Sequence, residues 1–597
     1  MAFAYTAGER RQLEARAAQW LAECPDVGGF IRRGQSRDRQ AETLVYLRTA
    51  RDPAPAVTRA GEFLQSMNAA TLWLRRQGVG PGDVVSLLAP NCNATSVLYW
   101  AAMSSATLQP LNLLFSREAI VAQLNAVKAK LLFTPPPGPS GLYEKAEGLE
   151  ALIPTLQRIV TLPLDGRIAF DDEILAPTDE HDAADVGDPD RIVALLPTGG
   201  TTGAPKIVPL SNRNVVASAI GSALAIDLQA GDRIVIALPM FHVGGAFCSS
   251  LPALGVGATM VLPTAAGFRN PEVVANYWRI LSSQRATHGA LVPTGLGAVA
   301  AVPLDGADLS SLRFFGTGAS VCPPEIERRF LALWPGDCVR QIYGMTEFAG
   351  AITQTPTTLG QKPGSVGVPV AAAEVAVLAG GKLYTGASPS GEILGRGPQM
   401  FKGYYDPNQR GATFHEGWIR SGDLGHIGED GEVYVTGRAK DTIIRGGHNI
   451  DPATIEDAAL TYPGVGLAAA VGRPDPYAGE LPVLYVSAAP GVTLDEAALA
   501  AHVREGVVEG PARPKAIHVI AEMPVTPVGK IFKPRLREFA AEEAARDALA
   551  AVAPGAEITA SHDARGLRIE ARVGAGQEGA AREALGRLPV AFEVRCG

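Results

Sequence analysis

No five basic residues follow one another anywhere in the chain, and 53 Lys and Arg are outnumbered by 61 Asp and Glu, for a formal net charge of −8. That balance excludes the electrostatic footprint of a nucleic-acid binder or of a protein held on an anionic membrane surface. Any anion must be attracted by local groups. Cysteine is scarce: six in 597 residues (Cys24, Cys92, Cys248, Cys322, Cys338 and Cys596), none in Cys-x-x-Cys spacing. Neither a disulfide framework nor a zinc site fits, and a reducing cytoplasm is the expected location. Uninterrupted apolar runs are also missing. The most membrane-like stretch, residues 234–268, is broken by Pro239, His242, Pro252, Pro263 and five glycines, so it reads as buried strand, turn and helix rather than a membrane span. Glu9, Arg10, Arg11 and Glu14 leave no apolar h-region, and no signal peptide is expected. With 47 % hydrophobic and 19 % charged residues, the chain is a folded one, too long for a single core.

What the chain does have is a loop, Leu196-Pro-Thr-Gly-Gly-Thr-Thr-Gly-Ala-Pro-Lys206, directly after the apolar run Ile192–Leu196. Glycines let several backbone N–H groups approach one anion, and threonine hydroxyls and a lysine ammonium add donors and charge. The loop is not a Walker motif, since Ala204 and Pro205 separate the last glycine from Lys206 and no hydroxyl residue follows. Nor does it have the glycine spacing of a dinucleotide fold. The residues alone point to a polyanion, and leave open which nucleotide.

Between Val57 and Phe133 helical and short apolar segments alternate. Helices are expected near 60–77, 94–104 and 117–127, and strands near 84–88, 108–111 and 131–133. These are βαβ units of a largely parallel sheet. Later strands near 233–239, 312–315 and 338–343 each run into glycine-rich ends, where α/β sheets place ligands. The first ends in Met240-Phe-His-Val-Gly-Gly245; a lone histidine such as His242 reads, by itself, as a satisfied core or turn residue. The others end in Gly316-Thr-Gly-Ala-Ser320 and Gly344-Met-Thr-Glu347, which offer backbone groups, an aromatic face and a carboxylate to a flat heterocycle and Mg2+.

Tyr343-Gly-Met-Thr-Glu347, taken with Thr198-Gly-Gly-Thr-Thr-Gly-Ala-Pro-Lys206, Ser421-Gly-Asp423, Gly437-Arg-Ala-Lys-Asp441 and Pro527-Val-Gly-Lys530, resembles the adenylate-forming superfamily. Its members include acyl-CoA synthetases, peptide-synthetase adenylation domains and luciferases. The motifs span roughly residues 50 to 540 in the family's order. The resemblance implies an α/β fold: a large N-terminal domain of mixed, largely parallel sheets covered by helices (1–439), and a small mobile α+β domain (440–552). It implies ATP, Mg2+ and coenzyme A as reactants, acyl-AMP as intermediate, and an AMP-forming carboxylic acid:CoA ligase as the activity. By position, Thr198, Gly199, Gly200, Thr201, Thr202, Gly203 and Lys206 would hold the phosphates. Gly318, Ala319, Ser320, Gln341, Tyr343, Gly344 and Met345 would line the adenine side, with Tyr343 stacked on the base. Thr346 would meet the α-phosphate, Glu347 with Thr201 would hold Mg2+, and Asp423 and Arg438 would grip the ribose. Lys530 would be the adenylation lysine, joined as catalytic residues by Thr346, Glu347 and His242. Lys440 would be the hinge, and Arg445, Gly446, Gly447 and His448 would face CoA. The acyl pocket would lie at Phe241, His242, Gly244, Gly316 and Thr317.

The chain departs from the family's usual pattern at Gly199, where serine is common, and at Ile207, where glycine is. The lost hydroxyl removes one hydrogen bond to phosphate, a contact of about 1–3 kcal/mol. No acid follows Phe241 to receive a substrate ammonium, which disfavours amino acids, and the uncharged rim favours a hydrophobic acid. The interval from Glu347 to Gly391 is the short form, which favours CoA over a carrier protein. An acyl-AMP ligase loading a carrier, or a nucleotide-binding homologue without turnover, are the alternatives. Beyond residue 552, alternating patterns at 558–562, 567–573 and 590–594 around a helix-like 577–588 read as a ββαβ extension (553–597). So small a unit buries little surface alone, so it is expected to dock on the C-terminal domain or on a second subunit of a homo-oligomer.

Overall fold

The computed structural model describes residues 7–168, 187–198, 206–334, 336–409, 413–438, 440–446, 448–563 and 566–597. The expected alternation of elements holds at the start of the chain: helices Ala60–Arg76, Asn93–Ser105 and Arg117–Val127 separate strands Val84–Leu87, Thr107–Pro110 and Leu131–Thr134. Ser116 caps the last of these helices through Ala119 N, and Lys128 in the left-handed region ends it. The strands pair in parallel in a six-stranded sheet, which closes on the antiparallel pair Ile192–Pro197 and Ile207–Ser211.

A second, nine-stranded sheet carries Arg233–Val235, His288–Leu291, Phe314–Gly318 and Arg340–Met345 as parallel neighbours, and turns antiparallel at both edges. Its glycines answer to packing. A Cβ on Gly318 would fall 2.6 Å from the Ile342 carbonyl oxygen, and one on Gly344 would fall 1.9 Å from that of Gly350. The helices Val27–Gln35, Asn93–Ser105 and Asn212–Ala225 lie between these sheets in one apolar core. The helix Asn93–Ser105 is buried on every side, as its lack of a polar face requires.

A third, antiparallel sheet holds Trp418–Ile427 against Val433–Arg438. Strand pairing then passes to another sheet, in which Gly479–Ala488 is flanked by Val465–Asp475, Ile443–Arg445 and Ala516–Val519. The last strands, Glu557–Asp563, Gly566–Val573 and Ala591–Cys596, with the helix Glu578–Leu585, have the ββαβ order expected, the final pair being parallel. They dock on the helix Lys533–Leu549, which buries Leu536 and Ala540 toward the preceding sheet and Ala541, Ala544, Ala545 and Leu549 toward the extension. Of the two docking partners expected, the C-terminal domain is the one observed. No described helix is long and apolar enough to cross a membrane.

Candidate active site

The phosphate loop joins two antiparallel strands: Pro197 faces Ile207, and Thr198 N donates to the Lys206 carbonyl at 2.8 Å, closing its neck. Gly199, Gly200, Thr201, Thr202 and Gly203 lie outside the described residues. Lys206 Nζ stands 4.4 Å above the Tyr404 ring, and Tyr404 Oη donates to Glu347 Oε1 at 2.7 Å. One tyrosine therefore links the loop's lysine to the expected metal carboxylate. Among the described residues no group of three or more His, Cys, Asp or Glu stands close enough to cage a metal ion. Mg2+ is commonly held by one or two carboxylates plus substrate phosphates, so a lone carboxylate such as Glu347 fits that ion.

The short helical turn Thr346–Phe348 follows the strand Arg340–Met345 and aims Glu347 at Tyr404. Tyr343, four residues before Glu347, donates its hydroxyl to Asp423 Oδ2 at 2.9 Å, and Arg438 Nε meets Asp423 Oδ1 at 2.9 Å. Asp423 and Arg438 are register partners across their strand pair, which explains why residues far apart in sequence converge. Burial and the Asp423 charge push the Tyr343 phenol well above its ordinary value, so it stays a donor.

Lys530 sits in the turn between Thr526 and Phe532, where Thr526 N bonds to the Lys530 carbonyl and Gly529 N to that of Thr526. The turn is fastened to the large domain by Thr294 Oγ1, which donates to the Gly529 carbonyl at 2.5 Å. Burial lowers the Lys530 pKa to about 8, helped by the Arg438 charge and opposed by Asp423 and Asp441. His242 senses Lys530 in turn: burial, then the ammonium, lowers its pKa to about 4. The ring is neutral at pH 7, and Nδ1 accepts from Gly244 N at 3.2 Å, so the ring proton sits on Nε2. His242 is thus no ordinary core histidine. It caps the short helix Val243–Gly245 and feels the lysine's charge.

Lys440 lies between the two sheet systems, its pKa lowered by burial and by Arg438. Arg537 Nη2 reaches both the Lys440 carbonyl and Asp441 Oδ1, each at 2.9 Å. Burial alone would raise the Asp441 carboxyl; Arg537 and Lys533 reverse that and hold it below its usual range. Arg445 and His448 face each other across a hairpin whose tip, Gly446, has open space around it; Gly447 is outside the described residues. Arg445 donates to the Pro511 carbonyl, within its own sheet's surroundings. The hairpin is not part of the Lys530 cluster.

On the adenine side, Gly318 ends its strand, and Ala319, in the left-handed region at φ 71°, and Ser320 are exposed beyond it. Gln341 is buried. Beside Phe241 a cavity of about 310 Å³ runs between Leu238, Phe268 and the turn Val525–Gly529, with Arg269 at its rim. His242, Gly244, Gly316 and Thr317 do not line it. Sequence reasoning missed Tyr404, Arg537 and Thr294, and gave Asp441 no role beyond its place in the Gly437–Asp441 motif. Tyr404 sits in an irregular segment with no periodicity, and Arg537 and Thr294 act through tertiary contacts that no local pattern announces.

The family model for AMP-binding enzymes matches residues 57–405, and that for the AMP-binding enzyme C-terminal domain matches 454–530. The chain is 32 % identical over 509 residues to a feruloyl-CoA synthase of Amycolatopsis sp, covering 84 % of this chain and 97 % of that protein. It is 34 % identical over 471 residues to a sulfoacetate–CoA ligase of Cupriavidus necator, covering 78 % and 89 %. In fold it matches ATP-bound MatB from Rhodopseudomonas palustris with a TM-score of 0.75 at 25 % identity, over 86 % of this chain and 98 % of that one. The chain belongs to the AMP-binding enzymes of the adenylate-forming superfamily, and within them to the AMP-forming acid–CoA ligases.

Proposed function

We propose that this cleft joins a hydrophobic carboxylic acid to CoA in two steps, with Lys530 serving the first. The acid's carboxylate is already ionised at pH 7, so its attack on the α-phosphorus of ATP needs charge neutralisation more than a base. A lysine with a pKa of about 8 is mostly charged at pH 7 and bridges carboxylate and phosphate. The Nε2–H of neutral His242 donates to the same oxygens. Asp423, held by Tyr343 and Arg438, accepts from the ribose hydroxyls. Glu347, fixed by the Tyr404 hydroxyl, would hold Mg2+, which would supply charge neutralisation to phosphate oxygens. Adenylate and pyrophosphate result.

Thioester formation then needs Lys530 to leave. We place the pivot at Lys440, which divides a large domain 1–439 from a mobile domain 440–552, with 553–597 riding on the latter. Rotation breaks the Thr294–Gly529 bond and vacates the cavity beside Phe241. Its apolar walls suit the thiol arm of CoA, and Arg269, which no described carboxylate pairs, suits a phosphate at its mouth. The hairpin at Arg445–His448 takes the lysine's place. Closure that assembles one site at a time is a common form of gating.

The observation that carries this reading is the turn of Lys530 docked through Gly529 on Thr294, where the lysine feels the charges of Arg438 and Asp423. The relatives' names give feruloyl and sulfoacetate, acids unlike each other, so the acid's identity rests on the pocket. A screen of pyrophosphate release across acid classes, with and without CoA, tests the reading: acid-dependent AMP with acyl-CoA is expected. AMP that appears only with a holo-carrier protein would overturn the CoA step.

A further inference from the structure

The helix Pro324–Leu331 follows the strand Phe314–Gly318 and turns Ile326 and Phe330, one helical turn apart, into an apolar core. The same spacing sets Glu325 beside Arg329 on the neighbouring flank, where Glu325 Oε1 accepts from Arg329 Nε at 2.8 Å. Arg328, an exposed residue, shares that carboxylate, but Arg329 is half-buried and reaches further. With its Nε held, the rest of the guanidinium points out of the large domain. Nη2 donates to the Leu460 carbonyl at 2.7 Å and Nη1 to the Val465 carbonyl at 3.0 Å. Both carbonyls belong to the C-terminal domain.

These acceptors are ones a cation suits. Leu460 is the last residue of the helix Pro452–Leu460, where the final carbonyls have no intrahelical donor and the dipole is negative. Val465 opens the edge strand Val465–Asp475. Other groups at that helix end are satisfied within their own domain, Tyr462 N on the Ala459 carbonyl and Thr461 Oγ1 on that of Ala458. Leu460 is served from across the interface. The surrounding contact is apolar: Leu296, Ile326 and Phe330 of the large domain share one buried cluster with Ile455, Ala459 and Leu460 of the small one. Apolar burial has no direction, whereas a planar fork on two carbonyls fixes an angle. The turn of Lys530 is held by one neutral bond from Thr294; Arg329 contributes two charge-assisted ones, a class roughly twice as strong.

We propose that Arg329, aimed by Glu325, is the positioning residue that clasps the C-terminal domain in the arrangement used for adenylation, and that opening this clasp is part of the passage to thioester formation. Rotation returns the Leu460 and Val465 carbonyls to water, while the Glu325 pair stays with the large domain. The clasp therefore opens without stranding a charge. This rests on the two-step reading above and deepens it, since the strength of the clasp sets how the molecule divides its time between the two arrangements.

The test is the two half-reactions of Arg329→Gln measured apart by single turnover, with the acid that releases most pyrophosphate in the screen above and with its synthetic acyl-AMP. Adenylation is expected to fall about tenfold, the worth of one charge-assisted hydrogen bond after water repays part of the loss. Acyl-CoA formation from acyl-AMP is expected to hold or rise. Arg329→Lys, which keeps the charge without the fork, is expected to fall between. Thermal unfolding monitors the fold; should Arg329→Gln not fold, Glu325→Gln, which keeps the fork but not its aim, is expected to move the two halves in the same opposed directions. Equal losses in both halves mark a purely structural arginine, and adenylation at the wild-type rate marks a contact without consequence; either overturns the inference and leaves the ligase reading standing. Absence of turnover by the wild type with every acid, in a folded protein stabilised by ATP, overturns both.

Discussion

The charge state of Lys530 makes adenylation depend on pH in a direction fixed by the structure. Burial and the Arg438 charge bring its pKa to about 8 in the ligand-free cleft. Neutralisation of the reacting oxygens needs the ammonium, so kcat/KM for ATP should be half-maximal near pH 8 and fall about tenfold per pH unit above it. His242, with a pKa of about 4, adds no inflection between pH 6 and 7. Folding responds oppositely. The folded state holds the Lys530 proton more weakly than the unfolded chain does, so between pH 8 and the ordinary lysine value near 10.4 stability rises with pH while activity falls. The assay is pyrophosphate release from pH 6 to 10 at subsaturating ATP, with thermal unfolding on the same samples. Lys530→Arg keeps its charge throughout and should flatten the alkaline limb. A wild-type limb that begins only above pH 10, or one that persists in Lys530→Arg, refutes the assignment.

Tyr404→Phe keeps the ring under Lys206 but removes the hydroxyl that orients Glu347, a bond to a charged group worth about 1.5–3 kcal/mol; KM for ATP should rise at least tenfold, most steeply at low Mg2+. Arg537→Gln frees the Lys440 carbonyl and leaves Asp441 without its strongest partner, so it should destabilise the fold by about 1–3 kcal/mol at pH 7. Because Asp441 is held below its usual range, that difference is present above the unfolded carboxylate pKa and should shrink as pH falls through the folded value, as urea titrations at pH 7 and pH 3.5 would read. Ile569→Ala, at a fully buried position of the extension, should cost about 2–4 kcal/mol locally, seen as an early unfolding step with adenylation largely kept.

Much of this architecture is legible in the chain. The amphipathic helix Arg117–Val127 is bounded by a capping serine and a turn, and both of its ends fall where the pattern places them. The extension's alternating strands read correctly because one face is buried on the helix Lys533–Leu549 and period two survives. The strands that end at the site read less well: Phe314–Gly318 and Arg340–Met345 run further into their glycines than local propensity suggests. Tight neighbour packing, such as Gly344 against the Gly350 carbonyl, overrides the preference of glycine for turns. Lys530 is the clearest case of what local chemistry leaves out. In sequence it is one lysine in a proline-rich turn, the usual setting of a solvated side chain. Only the docking of that turn, through Thr294 and Gly529, buries it where it feels the Arg438 charge and lowers the pKa of His242.

The most direct measurement separates the two half-reactions in Lys530→Ala. With acid, ATP and Mg2+ but no CoA, single-turnover formation of acyl-AMP should fall by a factor of a hundred or more, the scale of losing one preorganised charge-stabilising donor. With synthetic acyl-AMP and CoA, acyl-CoA should form within a fewfold of the wild-type rate. Adenylation at the wild-type rate, or an equal loss in both halves, would contradict a lysine that serves the first step and leaves for the second.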